Sequence, residues 1–243
     1  MLKGYLLANI TDTVKQNGAN DLWKKRVQSL SDIHKDTVAD FFKTWLRSQY
    51  ANKIRERKRN AKPEEFDLLG TEFHRWVRDH ANDLNLFESD DFFQFITKDF
   101  NFFSNQYLKL MKASRQLTSG LERVFYNANH GFTLQFLLLL APLNVRDKDE
   151  NINLKFRLVA RYVDILLAWR LWNFRSIAYS TMIYAMFLVM RDIRDLSPND
   201  LAMVLYEKLM SEEENFSSND RLYVHQQNRW YLHRILARIA DYL

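Results

Sequence analysis

The chain contains no cysteine, which excludes a disulfide framework and any metal site built from thiolates. This absence fits a reducing compartment, and we predict a cytoplasmic protein. Glycine and proline are also scarce, with 5 and 3 of the 243 residues. Because these two residue types form turns and interrupt helices, their scarcity predicts helices joined by short loops.

Long apolar runs are missing as well. The most apolar run, residues 132–143, is 12 residues long, short of the roughly 20 that cross a bilayer. It predicts a buried core helix. Residues 1–7 lack both the apolar stretch of a signal peptide and its small-residue cleavage site. We therefore expect no membrane partner.

Large aromatic side chains are abundant, with 18 Phe, 11 Tyr and 6 Trp. Apolar residues recur at helical spacing along the chain, and strand-like alternation is absent. These patterns predict an all-α fold, an irregular multi-helix bundle of about ten helices. Pro142 and the charged run 146–150 form the clearest linker, which predicts an aromatic-rich sub-bundle at 1–147 and a second at 148–243, unless the two form one continuous domain.

Several helix boundaries follow from local signals. The first helix is expected to end near Asn17-Gly18, and Ser31-Asp32 is expected to begin the third helix. Ser89 should open a long aromatic helix. Ser197 is a predicted N-cap, with proline at the first helical position that follows it.

The net charge of +5 permits contact with nucleic acid without requiring it, because 30 acidic residues accompany the 35 basic ones. The best nucleic-acid signal is the basic segment 53–62. Its candidate phosphate-contacting residues are Lys53, Arg55, Arg57, Lys58, Arg59 and Lys62. The favoured alternative is a solvated loop whose cations stabilise the negative end of the third helix.

A second group interleaves cations with aromatic rings on the helix predicted at 151–172 and just after it. Its members are Arg157, Arg161, Trp169, Arg170, Trp172, Phe174 and Arg175. Stacking on nucleic-acid bases is one interpretation. We favour the interpretation that these arginines pack on buried rings and pair with Asp164.

Catalytic signatures are absent. His74 with His80, and His225 with His233, lack the spacing of a zinc-binding helix. The adjacent carboxylates at 90–91 and 212–214 splay apart on helical or loop backbone, and no phosphate-binding loop or nucleophile elbow occurs. We predict no catalytic residue, no cofactor-binding residue and no metal ligand.

Three segments carry a resemblance to a known family. They read MLKGYLL (1–7), NINLKFRLVARYVDILLAWRLWNFRSIAYSTMIYAMF (from 151) and HQQNRWYLHRILARI (225–239). They resemble the helical middle region of GmrSD-type proteins, the type IV, modification-dependent restriction nucleases of bacterial phage defence. The matching motifs are helix-packing patterns, and residues 60–130 resemble the family only in character.

The resemblance implies a parent protein that is an NTP-stimulated DNA endonuclease. Its N-terminal ParB-like domain would carry an Asp-Gly-Gln-Gln-Arg motif, and its C-terminal HNH domain the nuclease site. This sequence contains neither, so no catalytic residue carries over. We predict a truncated fragment that is not itself an enzyme, a helical scaffold linking the nucleotide-sensing and nuclease domains.

The expected partners are the neighbouring domains of that parent, with DNA and a second copy of the chain as further candidates. Two other functions stay open. One is a DNA-binding helical module that uses the basic segment 53–62, and the other is a free-standing enzyme with a site the motifs do not show. The apolar ends, Leu2, Leu6 and Leu7 together with Ile235, Leu236 and Ile239, are expected to be left exposed or covered by a dimer.

Overall fold

The computed structural model describes residues 2–56, 58–219, 223–224, 226 and 228–242, without the side chains of residues 239, 241 and 242. Within that part the chain is all-α and contains no β-strand, as predicted. The α-helical segments are α1 (Leu2–Ala8), α2 (Thr13–Ser31), α3 (Thr37–Tyr50), α4 (Glu65–Thr71), α5 (Phe73–Asp79), α6 (Ser89–Gln94), α7 (Asn101–Ala113), α8 (Glu122–Asn129), α9 (Gln135–Leu140), α10 (Asp149–Trp172), α11 (Tyr179–Asp192), α12 (Pro198–Met210) and α13 (Arg229–Tyr242).

The described residues contain two further helical segments that are not α-helices. A π-helical segment, Phe95–Phe100, joins α6 and α7 into one continuous helix, and a single 3-10 turn covers Phe216–Ser218. Counting the joined pair once gives twelve helices in the described residues, close to the expected number of about ten.

The helix starts predicted at Ser89 and Ser197 are confirmed. Asp91 Oδ2 accepts the backbone N–H of Glu88 at 2.9 Å and fixes the start of α6. Ser197 Oγ accepts the N–H of Asp200, and Pro198 occupies the first position of α12. In both cases a side-chain oxygen satisfies a donor that has no partner within its helix.

The boundary predicted at Asn17-Gly18 is wrong. α1 ends at Ala8, and α2 runs without interruption through Gly18. The break comes earlier because Asp12 caps α2 and accepts the N–H of Lys15 at 2.9 Å. The third helix likewise begins at Thr37, after a turn, and not directly after Ser31-Asp32.

The core is one continuous cluster of buried apolar side chains that extends from Leu2 to Leu205. Its most aromatic part surrounds Trp45 of α3, whose side chain is fully buried. The Trp45 ring stacks on Phe41, Phe95 and Phe103 with centroid separations of 5.5, 5.3 and 5.5 Å. α3 therefore lies at the centre of the bundle, against α2, α4, α5, α7 and α9.

The segment expected to be a linker is partly helical, because Asp149 and Glu150 form the first turn of α10. Residues 142–148 lie against that helix. The buried Lys155 ammonium donates to Pro142 O at 2.8 Å and to Asp147 Oδ2 at 2.7 Å. The division into sub-bundles near residue 147 stays a prediction. None of the described helices is long and apolar enough to cross a membrane.

Candidate functional site

The basic segment forms a loop between α3 and α4. The loop runs back along the first turn of α4, because Phe66 N–H donates to Lys53 O at 3.0 Å. Arg55 N–H donates to Asp67 Oδ2, also at 3.0 Å. These two bonds fix the backbone at the start of the loop, so the side chains of Lys53 and Arg55 project from an anchored segment.

The described cations of this loop are all exposed. They are Lys53, Arg55, Lys58, Arg59 and Lys62. Lys58 makes an ion pair with Glu56 at 2.7 Å, and such a pair between exposed groups contributes little to stability. Arg57 lies outside the described residues. The structure thus places the described candidates on one accessible loop.

The negative end of α3 is satisfied by a residue from a distant part of the chain. Arg194, which follows α11, donates from Nε to Ser48 O at 2.9 Å and from Nη2 to Ala51 O at 2.8 Å. Its Nη1 also donates to Asn52 Oδ1 at 2.7 Å. Arg194 therefore makes the stabilising contact that the sequence assigned to the loop cations.

The aromatic residues at the end of α10 pack within the protein. Trp169 and Trp172 contact Phe216 edge-on, with ring centroids 6.4 and 5.4 Å apart. Arg175 makes a bidentate ion pair with Glu214, whose oxygens lie 2.8 and 3.0 Å from Nε. These contacts join the end of α10 to the 212–218 segment, and they pair Arg175 with Glu214 and not with Asp164.

Asp164 is the one buried carboxylate on α10 in the described part of the chain, at 5% exposure. Its partners come from two other helices. Arg238 of α13 makes a short ion pair with Oδ2, and Arg123 of α8 lies 3.5 Å from the same oxygen. Burial raises the pKa of Asp164, and Arg238 together with Arg123 opposes that shift. Sequence reasoning placed Asp164 in an ion pair, but with the arginines of its own helix.

A cavity of about 540 Å³ lies between α13 and the turn that follows α10. His130, Tyr231 and Asn228 line one side of it. Burial, together with the positive charges of Arg234 and Arg238, lowers the pKa of His130 to about 4. The sequence marked His130-Gly131 only as a helix break, because Arg234, Arg238 and Tyr231 lie about a hundred residues further along the chain.

The other candidate chemistry is dispersed. His80 stacks on Trp76 with a ring separation of 4.4 Å, and its Nδ1 bonds to the carbonyl of the same residue at 2.9 Å. His74 packs edge-on against Phe73. His225 lies outside the described residues. No group of three or more histidines, aspartates or glutamates that could hold a metal ion occurs in the described chain.

Exposed apolar surface is concentrated in the last third of the protein. Fifteen large hydrophobic side chains are exposed in the described residues, and eleven of them follow residue 173. The eleven are Phe174, Tyr179, Tyr184, Met203, Tyr206, Met210, Phe216, Tyr223, Val224, Trp230 and Leu236.

The two apolar ends of the chain behave differently. Leu2 and Leu6 are buried in the core, at 6% and 0% exposure, so the expectation of an exposed N-terminal end is wrong for them. Leu236 on α13 is 62% exposed, whereas Ile239 has no described side chain. α1 is therefore part of the packed body, and α13 presents apolar surface.

Neither a family model, nor a curated protein, nor a solved structure matches this chain. The resemblance to GmrSD-type proteins therefore stays a prediction carried by the three segments described above.

Proposed function

We propose that this chain is a non-catalytic helical scaffold that couples the nucleotide-sensing and HNH nuclease domains of a phage-defence restriction nuclease. The observation that carries the proposal is the concentration of exposed apolar side chains beyond residue 173. Exposed apolar side chains mark sites of protein association where they form a contiguous patch. The identity of the neighbouring domains rests on the resemblance to GmrSD-type proteins.

The attachment of α13 supports a coupling role. One contact of α13 with the body is made by Arg238, which pairs with the buried Asp164 and whose guanidinium lies 5.0 Å from the Tyr126 ring. A buried ion pair depends strongly on geometry, because displacing one partner leaves the other charge desolvated. A displacement of α13 would therefore be felt directly by α8 and α10.

The outer face of α13 has the composition of an association surface. Trp230 is 60% exposed and Leu236 is 62% exposed. The Arg234 guanidinium lies 4.2 Å from the centroid of the Trp230 ring. Tryptophan and arginine are enriched among the residues that dominate binding energy at protein interfaces.

The experiment measures whether this chain binds the neighbouring domains, expressed separately, and whether the mixture is active. The purified chain is mixed with the domains encoded in frame on either side of it, and binding is followed by calorimetry. DNA cleavage and NTP hydrolysis are measured for the chain alone and for the mixture. We expect association with the downstream domain and activity in the mixture, with no activity in the chain alone.

Matched variants locate the surface. Trp230→Ser with Leu236→Ser should weaken association by at least about tenfold, because truncating an interface anchor typically costs 2 kcal/mol or more. Val14→Ser removes an apolar side chain that is 82% exposed on α2, and it should leave association unchanged. DNA cleavage by the chain alone, or equal effects of the two substitutions, would refute the proposal.

The second candidate function is DNA binding by the basic loop. The exposure of its described cations on an anchored loop favours this candidate. The α3 terminus does not require them, because Arg194 already satisfies its carbonyl groups. The loop cations are therefore available to phosphate groups.

Fluorescence anisotropy with a labelled duplex, measured across a salt series, tests this candidate. Replacing Arg55 and Arg59 with glutamine should reduce the slope of log affinity against log salt by about 2, since each phosphate contact contributes about 0.9. Lys24→Gln with Lys25→Gln on α2 is the matched control for net charge. Equal slopes for the two double variants would argue against binding through the loop.

A further inference from the structure

A second cavity, of about 350 Å³, lies at the surface of the central helix α3. Its buried walls are Phe66, Tyr107, Leu134 and Leu137. Asp40, Thr133 and Tyr179 are exposed and therefore form its mouth. This volume falls in the range of small-molecule pockets, which combine apolar walls with a few polar groups.

Four polar residues of α3 face this cavity. They are Asp40, Lys43, Thr44 and Arg47. Their spacing of three and four residues places them along one side of the helix. The innermost charged group is Arg47, because its guanidinium lies against the buried Phe66 wall, 4.1 Å from the ring centroid.

The surrounding residues fix the position of the Arg47 guanidinium. Nε donates to Phe66 O at 2.8 Å, and Tyr179 lines the mouth of the same cavity. Gly70 of α4 lies beneath the guanidinium, and a Cβ atom at Gly70 would come within 1.8 Å of Nη2. Glycine inside a helix costs about 1 kcal/mol relative to alanine, so this glycine has a packing reason.

Arg47 lacks a carboxylate partner. Among the described residues it makes no ion pair, and its side chain contacts a backbone carbonyl and an aromatic ring. Asp67, the closest carboxylate influence, is used at the start of α4, where it accepts the N–H groups of Arg55 and Glu64. Burial lowers the pKa of Arg47, but a guanidinium keeps its charge in proteins.

A partly buried charge of this kind is stabilised by an anion that can reach it. The planar guanidinium binds a carboxylate through two parallel N–H···O bonds, and such bonds are stronger than neutral ones. We propose that this cavity binds a small amphipathic monocarboxylate. Its carboxylate would contact Arg47, and its apolar body would lie along Tyr107, Leu134 and Leu137.

The charge at the mouth selects against other anions. Asp40 is exposed there and repels a second negative group on the ligand. The positive charge of Lys43 beside it can balance only one of these two negative groups. Phosphate esters and dicarboxylates are therefore disfavoured. A neutral or positively charged outer group on the ligand is compatible with Asp40.

Three probes of one shape test the chemistry. They are 3-phenylpropanoate, the neutral 3-phenylpropan-1-ol and benzyl phosphate, in which two chain atoms separate the ring from the phosphorus. Binding to the full chain is measured by calorimetry and by the rise in melting temperature, since a ligand that binds only the folded state stabilises it. We expect the carboxylate to bind at least about tenfold more tightly than the alcohol or the phosphate ester, given the strength of charge-assisted hydrogen bonds.

Two variants test whether the Arg47 guanidinium binds the carboxylate. Arg47→Met removes the charge and keeps an unbranched side chain, whereas Gly70→Ala keeps the charge and displaces it. Each should weaken carboxylate binding by about tenfold or more. Arg26→Met is the matched control, because Arg26 is another partly buried arginine, bonded to Asn101 at 2.7 Å away from the cavity.

The wild-type measurement is decisive even if a variant fails to fold. Failure of 3-phenylpropanoate and of its aliphatic analogue 4-methylpentanoate to bind at millimolar concentration would overturn the proposal. Equal binding of carboxylate and alcohol would also overturn it, as would full affinity in a folded Gly70→Ala protein. Carboxylate-selective binding that Arg26→Met preserves and Arg47→Met abolishes would support it.

Discussion

Lowering the pH from 7 to 5 should destabilise the protein through His130. The folded-state pKa of this residue is about 4, against an ordinary value of 6.5. Between these values the unfolded chain binds a proton that the folded protein excludes. Stability is therefore fully present above pH 6.5 and is lost as the pH falls towards 4.

The size of this effect follows from the shift. A difference of one pKa unit corresponds to about 1.36 kcal/mol. Between pH 7 and pH 5 the full shift would remove nearly 2 kcal/mol of unfolding free energy, and partial solvent access to the ring reduces this to about 1–2 kcal/mol. Burial is the largest cause of the shift, followed by the positive charges of Arg234 and Arg238.

Urea unfolding of the wild-type protein and of His130→Gln, followed by circular dichroism at both pH values, measures the contribution. The wild type should lose about 1–2 kcal/mol more than the variant on acidification. Asp164 titrates in the opposite sense, since its raised pKa favours the folded state at low pH, but it is present in both proteins. His34→Gln, which replaces an exposed histidine, is the control and should behave as the wild type. Equal losses in the wild type and His130→Gln would refute the assignment.

Three further substitutions test how the fold is held together. Asp147→Asn should lower the free energy of unfolding by about 3 kcal/mol, because it leaves the buried Lys155 ammonium without its carboxylate. Asp147→Asn combined with Lys155→Met should lower it clearly less. Additive losses of the two substitutions in urea unfolding would contradict this. Arg194→Met should destabilise by about 2–3 kcal/mol through the carbonyl groups it leaves unsatisfied at the end of α3; a change in unfolding free energy below about 0.5 kcal/mol would disprove that role. Ser197→Ala should cost about 1 kcal/mol through the lost cap of α12, and Ser197→Asp, which restores an acceptor, should recover most of it.

The helical class could be predicted because its signals are local. Residues that begin helices act within one turn, so Ser89 and Ser197 were recognised without any knowledge of their surroundings. The first boundary was predicted wrongly because glycine only weakens a helix, and Asp12 supplied a stronger start signal five residues before Asn17. Local signals compete, and the sequence does not show which is stronger.

The candidate sites were less predictable because their partners are distant in the chain. Nothing near Arg47 in the sequence indicates that Gly70 makes room for its guanidinium. Asp164 was expected to pair with arginines of its own helix, yet Arg238 lies 74 residues further along the chain. Charged side chains can reach several alternatives, and only the packing of helices selects one.

The amino-acid sequence alone determined that the protein is helical, that its core is aromatic and where two of its helices begin, because these depend on residue spacing and on capping within a turn. The tertiary structure decided which charges are buried and what they contact. It brought Arg194 to the end of α3, Arg238 to Asp164 and the Arg47 guanidinium into close contact with Gly70. The physical reason is that desolvation and pairing of a charge depend on neighbours that the fold, and not the order of residues, brings within contact.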